Sequence, residues 1–143
     1  MNAKAKILIV DDEEVVRLSF VRILAGVNCD VQAIAGWSQV SQLAQQEPFD
    51  LVLLDLRMPD TDGITVLRAI KQRWPDSEVI VITGYGTLET AKQAMVLGAY
   101  DYLLKPVGPE QVLEACKAAL QHKHWALHND PLPVTKPTAG RFS

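Results

Sequence analysis

The hydrophobic residues of this chain are concentrated in five short runs, separated by longer segments with helical periodicity. The runs occupy residues 6–10, 29–34, 50–54, 78–83 and 100–104. Some of them, such as Ile7-Leu8-Ile9-Val10 and Val79-Ile80-Val81-Ile82, contain no alternating polar residue. That pattern is typical of parallel strands that are covered on both faces. We therefore predict five strands in a buried parallel sheet.

The segments between these runs carry apolar residues at the spacing of helices. The apolar stripes are Val16, Phe20, Ile23 and Leu24; Leu67, Ile70 and Trp74; and Leu88, Ala91 and Met95. Gly108-Pro109-Glu110 is typical of a helix start, with proline at the first helical position and an acid in the first turn. Five strands alternating with five helices predict an α/β fold, a doubly wound sheet with helices on both faces.

The pattern changes after about residue 124. The segment from Asn129 to Pro137 is rich in proline and has no periodicity. We interpret residues 1–124 as one domain and residues 125–143 as a linker or disordered tail. This tail favours a fragment cut in a linker over a stand-alone domain.

Composition narrows the function without identifying it. The chain has 143 residues, 48% of them hydrophobic, which is enough for one folded domain with a core. Its net charge of −3 gives no basic surface for direct nucleic-acid binding. No apolar stretch has the length of a membrane span, so we expect a cytoplasmic protein. Cys29 and Cys116 have no metal-binding spacing and are interpreted as reduced core thiols.

Charged and polar residues stand where four of the predicted strands end. Asp11 and Asp12 follow the first strand, and Asp55 follows the third. Thr83 ends the fourth strand, and Lys105 follows the fifth. A doubly wound fold gathers these ends into one crevice, where ligands bind. Carboxylates that converge there repel one another, and oxygen ligands without histidine or cysteine favour Mg²⁺ over zinc.

The chemistry available to such a crevice is phosphoryl transfer. A carboxylate beside Mg²⁺ can attack phosphorus and form an acyl phosphate. Lys105 would place positive charge on the transferring oxygens, and Thr83 would supply a hydroxyl donor.

Each residue taken singly also has an ordinary explanation. Asp11 or Asp12 could cap a helix that begins near Glu13, since Asp11 and Glu14 have capping-box spacing. Asp55 could be a turn residue, Thr83 an ordinary strand residue and Lys105 an exposed lysine. Only their joint placement favours a functional site.

At these residues the chain resembles the receiver domain of bacterial two-component response regulators, which is CheY-like. The matching segments are Ile9-Val10-Asp11-Asp12-Glu13, Asp55-Leu56-Arg57-Met58-Pro59-Asp60-Thr61-Asp62-Gly63, Ile82-Thr83-Gly84-Tyr85-Gly86 and Tyr102-Leu103-Leu104-Lys105-Pro106. The resemblance covers residues 5–123 and is strongest to receivers of the NtrC type. It implies a flavodoxin-like five-stranded parallel sheet with strand order 2-1-3-4-5.

The resemblance also implies a role for each matching residue. The implied groups are a catalytic group, Asp55, Thr83 and Lys105; a Mg²⁺-binding group, Asp11, Asp12, Asp55 and the backbone carbonyl of Arg57; and a switch group, Thr83 and Tyr102. Asp55 would be the phosphoacceptor, and the bond between Lys105 and Pro106 would be cis.

The implied function is signal transduction in a phosphorelay. A sensor histidine kinase or a histidine phosphotransfer protein would donate the phosphoryl group. The domain would promote its own phosphorylation and dephosphorylation without being a turnover enzyme. Phosphorylation would draw the Thr83 hydroxyl inward and let the Tyr102 ring fill the freed space. The surface altered would comprise the helix starting near Gly86, the strand at residues 100–104 and the last helix. That surface would control a transcription-regulating output domain or a partner, or mediate a homodimer.

Three other interpretations share parts of this pattern. A flavodoxin-like flavin carrier would need a Ser/Thr/Gly-rich phosphate loop where this chain has Asp11-Asp12-Glu13-Glu14. A haloacid-dehalogenase-type phosphatase would need an Asp-x-Asp arrangement at the first strand, which Asp12 does not form. A phosphorylation-independent docking module on the same fold is the non-enzymatic alternative.

The end of the last predicted helix carries three histidines, His122, His124 and His128. We interpret them as a solvated helix end.

Overall fold

The computed structural model describes residues 4–36, 38–39, 48–59 and 61–128, with side chains described as far as His124. The proline-rich segment at residues 129–143, predicted to be a linker or tail, lies outside these residues. The last helix continues to His128, four residues into the segment that we assigned to the tail. None of the described helices is long and apolar enough to span a bilayer.

The described residues contain five strands in one parallel sheet. They are β1 (Ala5–Val10), β2 (Cys29–Ile34), β3 (Leu51–Leu54), β4 (Glu78–Thr83) and β5 (Asp101–Leu104). The strand order is β2-β1-β3-β4-β5, and every pairing is parallel. The predicted doubly wound sheet with order 2-1-3-4-5 is therefore confirmed.

Four helices lie in the described part of the chain. They are α1 (Glu14–Leu24), α2 (Gly63–Arg73), α3 (Leu88–Val96) and α4 (Pro109–His128). The fifth expected helix would connect β2 to β3. Most of that connection, residues 37 and 40–47, lies outside the described residues.

Alternate residues of each central strand face opposite layers of the core. In β1, Ile7 and Ile9 pack with residues of α1 and α4, including Phe20 and Cys116. Leu8 and Val10 point to the other face and pack with residues of α2 and α3. Because both faces are covered, neither needs a polar residue, which explains the continuous apolar runs of the sequence. Cys116 is fully buried and Cys29 partly buried, both as free thiols.

The register of the sheet aligns the ends of its central strands. Val10 pairs with Leu54, and Thr83 pairs with Leu104. The ladder continues one residue further, because Asp55 N–H donates to Val10 O at 3.0 Å and Lys105 N–H donates to Thr83 O at 2.9 Å. The residues that directly follow β1, β3 and β5 therefore start from fixed backbone positions at one edge.

The opposite edge of the sheet is joined to α4 by side-chain pairs. His122 Nδ1 contacts Glu78 Oε2, and its ring lies 5.2 Å from that of Tyr100. Lys123 Nζ donates to Asp50 Oδ1 at 2.7 Å. The interpretation of His122 as part of a solvated helix end is therefore wrong, because the helix turns this side chain onto β4. His124 is exposed, as expected.

Candidate functional site

Four carboxylates converge beyond the carboxyl ends of β1 and β3. One oxygen from each of Asp11, Asp12, Glu13 and Asp55 lies within 4.8 Å of the others. Asp11 and Asp55 are 1% and 4% exposed, whereas Asp12 and Glu13 are exposed to solvent. The cluster therefore has a buried half at the sheet and an open half toward water.

Lys105 lies between the two buried carboxylates. Its Nζ donates to Asp11 Oδ2 at 2.8 Å and to Asp55 Oδ2 at 2.9 Å. Glu13 is a more distant partner, at 3.9 Å. The lysine is 17% exposed and so is largely withdrawn from water. The ordinary interpretation of Lys105 as an exposed lysine is therefore wrong.

The charges of this group perturb one another and are perturbed by burial. Burial raises the pKa of Asp11, and the hydrogen bonds from Lys105 and from the Glu13 backbone only partly oppose it. For Lys105, burial acts to lower the pKa, but hydrogen bonds to Asp11 and Asp55 outweigh it and raise the pKa above its usual value. Lys105 therefore stays protonated, but because two buried carboxylates share it, it does not fully offset the cost of burying the Asp11 charge.

Backbone N–H groups orient the second oxygen of each buried aspartate. Asp55 Oδ1 accepts a hydrogen bond from Arg57 N–H at 3.0 Å. Asp11 Oδ1 accepts one from Glu13 N–H at 2.9 Å. The N-cap of α1 is Glu13, which makes no capping side-chain bond, so the capping box considered for Asp11 and Glu14 does not form. The alternative interpretation of Asp55 as a turn residue is correct in part, because its side chain accepts a hydrogen bond from the backbone N–H of Arg57, two residues further on.

The loop after β3 is held close to the sheet by Gly63. A Cβ at this position would overlap the backbone of Leu56. Gly63 N–H donates to Leu56 O at 3.1 Å, and Asp62 caps α2 by accepting from Ile64 N–H. A short antiparallel bridge joins Arg57 to Asp62. These contacts fix the loop that begins at Asp55.

Thr83 and Gly84 form the side of the crevice at β4. Thr83 is fully buried, and its Oγ1 accepts a hydrogen bond from Tyr85 N–H at 3.3 Å. Gly84 leaves space, because a Cβ there would come no closer than 3.8 Å to Lys105 Cβ. The Lys105–Pro106 bond is cis, as the resemblance implies.

Arg57 and Tyr85 stack at the rim of the crevice. The guanidinium carbon of Arg57 lies 4.0 Å from the centroid of the Tyr85 ring. The two residues stand two positions beyond Asp55 and Thr83, respectively, in the loops that follow β3 and β4. Their stacking was not predicted, since no spacing relates two loops that belong to different strands.

Tyr102 lies on β5, which β4 separates from the acidic cluster, and its side chain is turned inward. Its side chain is 5% exposed and belongs to the core layer under α3. The phenol oxygen lies 2.9 Å from Thr90 Oγ1, in the first turn of α3. Thr90 carried no signal in the sequence, where it is one polar residue in an amphipathic helix.

The arrangement favours binding of a hard divalent cation. The four carboxylates carry more negative charge than Lys105 can neutralise, and two of them are buried. Oxygen-only ligands with an open, hydrated side are the environment that Mg²⁺ prefers. The Asp55 carboxylate is also well oriented for nucleophilic attack, because an N–H and an ammonium group hold its two oxygens.

Comparison with known proteins gives a consistent result. The family model of the response regulator receiver domain matches residues 7–117. The response regulator protein PilR of Pseudomonas aeruginosa is 39% identical over 119 residues, which are 83% of this chain and 27% of PilR. The DNA-binding transcriptional regulator NtrC of Klebsiella pneumoniae is 32% identical over 92% of this chain and 28% of its own length. The chain thus spans about a quarter of the length of these relatives.

Solved structures show the same likeness. A CheY-like response regulator receiver domain protein from Methanospirillum hungatei superposes with a TM-score of 0.82 at 31% identity, over 87% of this chain and 99% of that one. A response regulator from Burkholderia pseudomallei, which carries a phosphorylated aspartic acid, a calcium ion and citrate, has a TM-score of 0.74 at 27% identity. That alignment covers 92% of this chain and 78% of the other.

Proposed function

This chain belongs to the response regulator receiver domain family of two-component systems, and on that premise we propose that Asp55 is its phosphoacceptor. The observation that carries the proposal is the position of the Asp55 carboxylate. It is buried between Lys105 and the acidic cluster, and the Arg57 N–H holds its other oxygen. Asp11 is also buried beside Lys105, but among the described carboxylates only Asp55 directly follows β3, the middle strand of the five.

The proposed step is transfer of a phosphoryl group to an Asp55 oxygen. The oxygen attacks phosphorus, the bond from phosphorus to the donor atom breaks, and the donor leaves with its electron pair. For a phosphohistidine donor, the leaving group is the imidazole ring, which takes up a proton. We propose that a sensor histidine kinase or a histidine phosphotransfer protein is that donor, as is expected for a receiver domain.

Mg²⁺ is the proposed cofactor, and its ligands are Asp11, Asp12, Asp55 and the backbone carbonyl of Arg57. The acidic cluster supports this assignment, because it leaves negative charge that Lys105 does not compensate. A bound Mg²⁺ would neutralise charge on the transferring oxygens. The related Burkholderia pseudomallei protein carries both a phosphorylated aspartic acid and a calcium ion, which supports a divalent cation beside the acceptor.

Lys105 and Thr83 would bind the oxygens of the transferred group. Lys105 already lies 2.9 Å from an Asp55 oxygen, so a small movement would bring it to a phosphoryl oxygen. The Thr83 hydroxyl lies on the neighbouring strand and would turn toward the same group. Charge-assisted bonds of this kind stabilise the transition state and the product.

Dephosphorylation would use the same site: water attacks phosphorus, the bond between phosphorus and the Asp55 oxygen breaks, and the carboxylate and inorganic phosphate are released. Receiver domains are signal transducers and not turnover enzymes, so we propose that this reaction sets the lifetime of the signal. The Arg57–Tyr85 stack joins the loops that follow β3 and β4 beside this site.

We propose that the signal leaves through the surface formed by α3, β5 and α4. Thr83 and Tyr102 would be the switch residues, as the family resemblance implies. The output would be a further domain of a longer protein, a separate partner or a second copy of the chain. The relatives are about four times longer than the matched region, which supports an attached output domain.

The experiment is a measurement of intact mass after treatment with acetyl phosphate and Mg²⁺. We expect wild type to gain one phosphoryl group, and the gain to disappear in Asp55→Asn and when EDTA replaces Mg²⁺. Asp30→Asn is the matched control, because Asp30 is an exposed aspartate on β2, outside the acidic cluster. Absence of a mass gain in wild type would contradict the proposal. It would favour a docking module that works without phosphorylation.

A further inference from the structure

Tyr102 is hydrogen-bonded to Thr90, one of the two capping-box residues of α3. Thr87 is the N-cap of this helix, and Thr87 and Thr90 form a reciprocal capping box. Thr90 N–H donates to Thr87 Oγ1 at 3.1 Å, and Thr87 N–H donates to Thr90 Oγ1 at 2.9 Å. The Tyr102 phenol joins the same Thr90 oxygen at 2.9 Å. The start of α3 and the buried ring of β5 therefore share one hydroxyl.

The Tyr102 phenol and the Thr90 hydroxyl can each donate or accept in their contact. Thr90 Oγ1 also lies 3.0 Å from Thr87 O and 3.2 Å from Thr87 Oγ1, so its bonds join the phenol to the helix cap. The contact between Tyr102 and Thr90 is lost if the ring swings outward.

The loop between β4 and α3 is held at both ends by hydroxyl groups. At its beginning, Tyr85 N–H donates to Thr83 Oγ1, and at its end stand Thr87 and Thr90. Only three residues, 84–86, separate Thr83 from Thr87. A movement of the Thr83 hydroxyl toward a phosphoryl group would therefore change the position of the first turn of α3.

Gly86 leaves the room that this arrangement requires. A Cβ at position 86 would overlap the Tyr102 phenol oxygen and ring edge, and also Leu104 Cδ2. The inward ring and the loop are therefore packed against each other, and the loop cannot shift far without pressing on the ring.

We propose that the Thr90 hydroxyl couples Tyr102 to α3, so that the inward ring and the bonded start of the helix form one state, whose population phosphorylation increases. Thr90 acts here as a positioning residue, because it touches neither the phosphoryl group nor the cation. The inference rests on the proposed function, since it takes phosphorylation of Asp55 as the event that moves Thr83.

The test compares backbone amide chemical shifts of the chain before and after treatment with acetyl phosphate and Mg²⁺. Shift changes are divided by the phosphorylated fraction measured from intact mass. In wild type, we expect the amides of Leu88–Ala91 to move together with the Tyr102 ring signals. In Tyr102→Phe, which keeps the capping box, the ring signals still move, while the Leu88–Ala91 changes shrink. The loss of one neutral hydrogen bond makes the coupled arrangement about fivefold less favoured.

Variants of the capping residues separate coupling from helix stability. Thr90→Val should shrink the α3 changes as Tyr102→Phe does, and Thr90→Ser should restore them, because serine keeps the hydroxyl. Thr87→Val is the matched control: it removes a capping bond but leaves the Thr90–Tyr102 bond, so its α3 changes should equal those of wild type. Should Thr90→Val fail to fold, Tyr102→Phe still carries the test.

Three results would overturn the inference, and they are distinguishable. Full α3 changes in a phosphorylated Tyr102→Phe protein would disprove the coupling and leave the proposed function standing. A wild-type protein that gains no phosphoryl mass would overturn both. If Thr90→Ser behaves like Thr90→Val, return of the hydroxyl does not return the coupling, which also contradicts the inference.

Discussion

Replacement of Lys105 by methionine should destabilise the cation-free protein and make its stability more dependent on Mg²⁺. Methionine preserves much of the apolar stem of lysine and removes only the ammonium group. That group is the described cation that contacts both Asp11 and Asp55, which are almost fully buried. Without it, two carboxylates face each other with no compensating charge.

The magnitude follows from the distance between the carboxylates. One oxygen of Asp11 and one of Asp55 lie within 4.8 Å of each other. Two unit charges at that distance repel by about 3 kcal/mol at an effective dielectric constant of roughly 20. Removal of one partner from a buried ion pair typically costs about 3–5 kcal/mol. We therefore expect the free energy of unfolding to fall by about 3 kcal/mol at pH 7 in EDTA.

The assay is urea denaturation followed by circular dichroism, with EDTA and with excess Mg²⁺. A cation that binds only the folded state adds to the free energy of unfolding. The more negative site of Lys105→Met should bind Mg²⁺ more tightly, so Mg²⁺ should stabilise this variant more than it stabilises wild type. The difference between the two proteins is thus expected to narrow when Mg²⁺ is present.

Lys123→Met is the matched control. Lys123 is 13% exposed and pairs with Asp50 at 2.7 Å, at the opposite edge of the sheet from the acidic cluster. Asp50 is 33% exposed, so the loss should be about 1 kcal/mol or less. Mg²⁺ should not change that loss. Equal stability of Lys105→Met and wild type in EDTA would refute the reasoning, and so would an equal gain from Mg²⁺ in both.

Three further predictions concern the loops, the switch and the pH. Gly63→Ala should lower the free energy of unfolding by about 3 kcal/mol in urea denaturation, because its Cβ overlaps the Leu56 backbone; wild-type stability would contradict this. Tyr102→Ala should abolish output in an assay of the attached or separate partner while intact mass still shows phosphorylation, and loss of phosphorylation would count against Tyr102 as a switch. Because burial raises the pKa of Asp11, the affinity for Mg²⁺ measured by calorimetry should begin to fall at a higher pH than it would with an ordinary aspartate. In the cation-free protein, the free energy of unfolding should rise as the pH drops through that pKa. Asp11→Asn should lose both effects.

The sheet was predictable because burial on both faces leaves a direct trace in the sequence. Strands β3 and β4 are buried at every position, so no polar residue interrupts their apolar runs. The residues that follow such strands must also lie together, since all strands of a parallel sheet end at the same edge. The convergence of Asp11, Asp55 and Lys105 could therefore be inferred before any coordinates.

The contacts that the sequence did not reveal depend on how separate elements pack. Thr90 and Tyr102 are twelve positions apart, on a helix and a strand, and no periodicity relates them. The same holds for Glu78 and His122, which are 44 positions apart and meet because α4 crosses the start of β4. Helical spacing predicts which residues share a face, but not which residue of another element that face meets.

The capping-box alternative for Asp11 shows a second limit of local patterns. Asp11 and Glu14 have the right spacing, and an isolated peptide would have no stronger partner to offer. In the folded chain, Lys105 and the Glu13 N–H bind the Asp11 carboxylate, and α1 begins without a side-chain cap. A tertiary charge partner and a bond from the Glu13 backbone are found in place of the capping box.

The most direct test of the central claim is to locate the phosphoryl group within the chain. After treatment with acetyl phosphate and Mg²⁺, borohydride reduction converts a phosphorylated aspartate to homoserine, which peptide mass spectrometry can place. The account predicts one modified residue, Asp55, and none in Asp55→Asn. Modification at Asp11 or Asp12, or no modification in the presence of Mg²⁺, would contradict it.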